Sequence, residues 1–170
     1  MAKLIVEKIF KDAPLPVRKN PTDSGLDVTF HNLKRVYKHS GGNGETPMET
    51  EKALASVMDG KELELQYLER ALIGTGIKAT VGPGYEIQVR SRSGLALKQG
   101  LVVGNQPGTI DCGYRSEIGV ILINLSRKAQ KIKMGDRIAQ LVVTPVELCD
   151  VEEGKLDDID RGGGFGSTGK

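Results

Sequence analysis

Turn signals at short intervals constrain this chain more than any other feature. Gly74-Thr75-Gly76, Gly82-Pro83-Gly84, Pro107-Gly108 and Met134-Gly135-Asp136 separate short apolar runs. Leu4 to Phe10 is rich in Ile, Val and Phe. Residues 85–90 alternate strictly, which puts Tyr85, Ile87 and Val89 on one face. Ile118 to Ile123 and Ile138 to Val143 read as buried strands. Many short strands with Gly and Pro punctuation predict an all-β sandwich or barrel. Alternating helices long enough for parallel crossovers are missing, which argues against a Rossmann-type sheet.

Size and composition narrow the class. The 170 residues are enough for one domain that folds without a metal or disulfide staple. Glycine supplies 22 of them, so many turns or close backbone approaches are expected. Tryptophan is absent and aromatics make up 4%, too few for a base-stacking platform on long nucleic acids. A formal charge of +2 favours neither DNA coating nor an acidic tail protein. No direct nucleic-acid binding is expected. Cys112 and Cys149 do not make a disulfide framework, and both are expected to be inert. No run approaches the ~18 apolar residues of a membrane span, and the N-terminal run is too short for a secretory leader. The expected setting is the cytoplasm, without membrane attachment.

Two stretches depart from the strand pattern. Residues 48–69, METEKALASVMDGKELELQYLE, are rich in helix formers, and Gly60 would split them into two short helices. Residues about 39–69 therefore read as a helical insertion on a β domain spanning 1–150. Residues 151–170 read as a linker and a glycine-rich C-terminal tail that cannot pack a core of its own. Such a tail is either a disordered end or a lid that orders on an anion.

Four segments have the makings of chemistry, each with a plainer alternative. In Arg92-Ser93-Gly94-Leu95-Ala96, Ser93 would cap a short helix beside an arginine, an arrangement suited to phosphate. Asn105 to Arg115 offers an amide donor–acceptor pair, a candidate base in Asp111 and a flat face in Tyr114, yet its turn residues also suit a simple hairpin loop. Asp136 and Arg137 read as an ion pair at a turn into a buried strand. Pro21 to Val28 opens a strand with an acid or is a loop with Asx-turn chemistry. His31 and His39 lack partners at zinc spacing, and neither a Walker loop nor a GxSxG elbow is present. The run Glu62 to Glu69 lacks the paired acids of a helical metal-dependent pyrophosphatase and reads as a solvated helix face.

Taken in order, SGLDV (24–28), RSGLA (92–96), NQPGTIDCGY (105–114), GDRIAQL (135–141) and RGGGFGSTG (161–169) resemble the five motifs of the homotrimeric dUTPase family. The extra segment between the first two motifs is similar to that of phage-type members. The resemblance implies a jelly-roll-like β barrel, a homotrimer with sites built by several subunits, and Mg²⁺-dependent cleavage of dUTP to dUMP and pyrophosphate. Asp111 resembles the base that activates water for attack at the α-phosphorus. By the same resemblance, Asn105 and the backbone of Gly108, Thr109 and Ile110 read uracil, and Tyr114 packs under deoxyribose. Arg92, Ser93, Gly94 and Gln140 hold phosphates. Arg161, Gly166, Ser167 and Thr168 belong to the tail that grips the γ-end, with Phe165 covering the base. Asp27 touches the metal through water.

The third motif departs from the family's Asp-x-Asp-Tyr-Arg-Gly. Gly113 stands at the second acid and Ser116 follows Arg115, which puts any charge network around Asp111 in question. Ser91 occupies a position where small residues or proline are common. Two further expectations follow from the resemblance. dCTP deaminases share the architecture and use a glutamate near the ring, for which only Glu117 is close to the loop. Some phage members also bind a repressor protein, and residues 39–69 with the site loops would form that contact.

Overall fold

The alternation of the sequence becomes antiparallel pairing. The computed structural model describes residues 2–39, 45–48, 54–55 and 58–157. Its strands are β1 (Ile5–Lys8), β2 (Leu26–Thr29), β3 (Asn32–His39), β4 (Glu45–Met48), β5 (Met58–Asp59), β6 (Glu62–Leu65), β7 (Arg70–Gly74), β8 (Ile77–Thr80), β9 (Tyr85–Arg90), β10 (Leu101–Val103), β11 (Gly108–Ile110), β12 (Gly119–Asn124), β13 (Gln130–Lys133) and β14 (Arg137–Pro145). The helix α1 (Ser93–Gln99) follows β9. The strands form sheets of order β10-β12-β7-β3-β4, β11-β9-β14-β2, β13-β6-β5 and β1-β8. The all-β, jelly-roll-like class is therefore observed. Among the described residues the sheets do not close into one hydrogen-bonded ring.

Period-two burial explains the core. Val120, Leu122 and Asn124 of β12 are buried, whereas Gly119, Ile121 and Ile123 are half-buried. Ile87 and Val89 of β9 point inward as expected, but Tyr85 at the strand's start stays partly exposed. Phe30, Ile73, Ile77, Ile118, Ile138 and Leu141 are fully enclosed with them. Each such side chain contributes about 1.5–3 kcal/mol relative to exposure.

The helices expected across 48–69 are corrected in part. Met58-Asp59 and Glu62-Leu65 are strands joined through Gly60-Lys61, and Glu45–Met48 is another strand. Gly60 takes φ +62°, the left-handed value that a two-residue hairpin turn requires. Glu and Leu are good helix formers, but Glu62-Leu63-Glu64-Leu65 also alternates strictly. Alternation prevails because β6 buries Leu63 and Leu65 completely. The same burial overturns the solvated helix face expected for 62–69. Lys131 and Lys133 on β13 pair with Glu62 at 2.9 and 3.5 Å. The Lys131 hydrogen bond holds the Glu62 carboxyl below its usual range. Asn124 Nδ2 donates to Leu65 O at 2.9 Å, tying this hairpin to the main sheet. Leu54 and Ala55 are helical, and residues 49–53 and 56–57 of the first expected helix lie outside the described residues.

Gly76 shows why glycine is needed at the turn into β8. Its φ is +75°, and a Cβ there would stand 2.7 Å from the Ala13 Cβ and 2.8 Å from the His31 ring. Gly76→Ala is expected to lower stability by about 2–4 kcal/mol, from left-handed strain plus overpacking. Urea unfolding of the purified variant checks this, and a loss under about 1 kcal/mol would show that the neighbours yield.

Candidate active site

Register gathers the first, second and fourth motifs at one end of a sheet. On β14, Gln140 is paired with Arg90 of β9 on one side and Asp27 of β2 on the other. Arg92 leaves that end of β9 and turns into α1. The expected Ser93 cap is corrected: Arg92 is the N-cap, in extended conformation (φ −87°, ψ 125°), and no side chain caps the helix. Ser93 and Gly94 stand exposed on the first turn. Arg92 O accepts the Ala96 N–H at 3.0 Å, and Gly100 closes the helix at φ 66°.

The cleft so formed has a volume of ≈ 420 Å³ and is lined by Lys19, Ser24, Gly25, Ser93, Gly94 and Gln140, with Asp23, Asp27 and Arg92 completing it. Asp27 is the electrostatic centre. Its Oδ1 accepts Arg92 Nε at 2.9 Å and its Oδ2 accepts Arg137 Nη1 at 3.0 Å. Arg92 Nη1 also donates to Arg137 O at 3.0 Å. The ion pair expected within Asp136-Arg137 is thus not formed. Asp136 Oδ2 instead accepts the Lys133 N–H at 2.8 Å, closing the turn before β14, and Arg137 is released to Asp27. Gly25 leaves space for the Gln140 amide, since a Cβ there would lie 2.1 Å from Gln140 Oε1.

Asp111 stands elsewhere on the chain. Among the described residues β11 pairs only with β9, with Gly108 opposite Val89 and Ile110 opposite Ile87. Asp111 follows Ile110, so it lies level with Glu86, four residues down β9 from Arg90. That is about 13 Å along the strand, with two further strand spacings of roughly 4.8 Å each to β14. Asp111 is exposed and its carboxylate makes no hydrogen bond to the described residues; its carbonyl accepts the Tyr114 N–H at 3.0 Å. Tyr114 Oη donates to Glu117 O at 2.9 Å, which orients the ring. Gly108 is enclosed: a Cβ would meet Asn105 Nδ2 at 3.2 Å and Val89 Cβ at 3.3 Å. Thr109, between them, faces solvent.

The departures in the third motif cost no packing. A Cβ at Gly113 would touch nothing within 4 Å. Arg115 Nη1 donates to Cys112 O at 2.7 Å, Tyr114 O at 2.9 Å and Thr80 Oγ1 at 3.2 Å, so backbone and hydroxyl acceptors hold it. Glu117 is committed to structure: Oε1 accepts the Gly76 N–H at 2.8 Å, and Oε2 pairs with Lys34. Residues Arg161, Phe165, Gly166, Ser167 and Thr168 of the expected lid lie outside the described residues.

The dUTPase family model matches residues 47–169. The chain belongs to the dUTPase family. A deoxyuridine 5′-triphosphate nucleotidohydrolase of Nautilia profundicola is 58% identical over 172 residues, covering 99% of both chains. One of Hydrogenobaculum is 44% identical over 169 residues, covering 98% of both. These alignments span 39–69, so full-length bacterial dUTPases match the chain through that segment. Among solved structures, a dUTPase variant of Staphylococcus bacteriophage 80alpha with dUpNHpp superposes with a TM-score of 0.70 at 24% identity, covering 98% of this chain and 99% of that one. The dUTPase of phage phi11 of S. aureus gives 0.66 at 21%, covering 92% and 98%. At such identities these two show the shared fold. Among the described residues no helix is long and apolar enough to cross a membrane.

Proposed function

We propose that this dUTPase cleaves dUTP to dUMP and pyrophosphate, with the triphosphate in the Asp27–Arg92–Gln140 cleft and Asp111 as general base. The unpaired, exposed carboxylate of Asp111 carries the reading. Ionised, it is an acceptor only, so it can take a proton from a water held against the α-phosphorus. A positioned base of this kind contributes roughly 10²–10⁴-fold. Ser93, Gly94 and the guanidinium of Arg92 hold the phosphates for in-line attack, and the glycine-rich tail with Arg161, Ser167 and Thr168 closes over them.

The free edge of β11 suits uracil. Among the described residues its outer backbone groups have no strand partner, and they meet the base edge as an added strand would. The Asn105 amide supplies one more donor–acceptor pair. Cytosine reverses the donor and acceptor at the ring edge and leaves these groups unpaired. Tyr114, fixed by Glu117 O, packs against the sugar and rejects a 2′-hydroxyl.

The residues fit Mg²⁺ as a substrate-borne ion. Among the described residues no three His, Cys, Asp or Glu side chains converge as a metal cage. Mg²⁺ dehydrates reluctantly and is commonly held by phosphates and one or two carboxylates. Asp27 spends one lone pair of each oxygen on an arginine, and the remaining pairs can accept from metal-bound water. When bound, the ion neutralises phosphate charge and fixes the chain's geometry.

Pyrophosphate release across dUTP, dCTP, dTTP and UTP, with Mg²⁺ and with a chelator, tests this. The expected preference for dUTP over dCTP is about 10⁴-fold in kcat/KM, and the chelator removes turnover. Ammonia from dCTP without pyrophosphate would overturn the reading in favour of a deaminase.

A further inference from the structure

Ser91, between β9 and α1, bonds to three separate parts of the chain. Its N–H donates to Gln106 Oε1 at 2.8 Å. Its carbonyl accepts Gln140 Nε2 at 2.9 Å. Its hydroxyl accepts the Val103 N–H at 2.8 Å. The second, third and fourth motif segments thus meet at one residue that has no place in the chemistry described above.

The loop 104–107 needs such a tie. It enters through the Gly104 N–H bond to Ile121 O at 2.8 Å and leaves into β11 at Gly108. Between these points its residues are exposed. Within it, Gln106 reaches across to the backbone of Ser91, which also carries the Gln140 amide. Asp111, by contrast, is anchored apart from the loop, by the pairing of Ile110 with Ile87 and by the Tyr114 N–H.

We propose that Gln106 and Ser91 are a positioning pair: their hydrogen bond sets the base-reading edge (Asn105 and Gly108 to Ile110) against the phosphate-holding edge (Arg92 and Gln140). This deepens the dUTPase reading and rests on it. Neither side chain touches the nucleotide. Losing the bond frees the loop that reads the base and leaves the carboxylate of Asp111 in place. Affinity and base discrimination therefore fall, while the chemical step is retained. The pair fixes both edges of one chain, whichever subunits complete the sites.

The test compares Gln106→Leu, which removes the acceptor, with Gln106→Glu, which keeps an oxygen at the same reach. Gln106→Leu should raise KM for dUTP about fivefold and lower the preference for dUTP over dCTP by a similar factor, the worth of one net hydrogen bond. Its kcat should stay within about twofold and its thermal midpoint within about 2 °C, as for a surface substitution. Gln106→Glu should return KM to within about twofold of the parent. An unchanged KM in Gln106→Leu, or a Gln106→Glu enzyme no better than Gln106→Leu, would overturn the proposal. Hydrogen exchange of the Ser91 amide in the unliganded protein gives a second readout, expected about fivefold faster in Gln106→Leu. An unchanged exchange rate also overturns the pair. If the parent enzyme failed to cleave dUTP, the functional reading would fall, and exchange alone would still decide whether the tie exists.

Discussion

Asp111→Asn is expected to reduce dUTP turnover by about 10³-fold or more while dUTP affinity stays within about tenfold. The substitution is nearly isosteric and replaces an anionic proton acceptor by a neutral amide that cannot take the proton. Asp111 is exposed and its side chain bonds to none of the described residues, so no native contact is lost. Stability should therefore stay within about ±0.5 kcal/mol, as at other surface positions. Single-turnover hydrolysis with pyrophosphate detection, beside equilibrium binding of a non-hydrolysable analogue, separates the two effects. A mutant retaining a tenth of the parental rate would show that another group takes the proton. Weakened binding in step with the rate would make Asp111 a ligand rather than a base.

Legibility differed among the parts of this molecule. The strands 85–90 and 138–143 were readable because a half-buried strand needs alternating side chains or a short apolar run, and β9 and β14 are such strands. The hairpin β5–β6 was not read, although its signals were present. Gly60-Lys61, with glycine first, suits a two-residue hairpin turn, and Glu62 to Leu65 alternate. Summed helix propensity outweighed them because propensity is local, while the burial of Leu63 and Leu65 comes from strands far along the chain. The residue type of Ser93 suits a cap, yet the extended residue at the helix start is Arg92.

Within the candidate site, residue types were legible and partnerships were not. Asp27, Arg92, Gln140 and Asp111 all carry chemistry that the sequence shows. That Arg137 leaves Asp136 for Asp27 depends on strand register between residues 110 positions apart. No local pattern encodes such a pair. Gln106 and Ser91 were missed for the same reason: their bond joins a loop to a strand end across 15 residues. The family resemblance suggests what such motifs hold, but only the fold shows which of them one chain brings together.

In one chain Asp111 and the Gln140–Asp27 cleft are about 16 Å apart along and across the sheet, too far to meet on one phosphate. We propose that the site is completed between subunits of a trimer, Asp111 of one chain facing the cleft of its neighbour. Two variants, each inactive alone, should then rescue each other. Asp111→Asn supplies an intact cleft without a base. Ser93→Glu supplies the base but places a negative charge where phosphate must sit. Ser93 is exposed in the first turn of α1, where an added acid is tolerated by the helix. Co-expression with two different tags and sequential purification gives mixed trimers. In each mixed trimer, two chains of one kind and one of the other, one of the three sites combines the intact halves, so activity should recover to about a third of the parental value. Mixed trimers no more active than the single variants would place base and phosphate cleft within one chain, and the spacing read from the strand register would then need a conformational closure to bring them together.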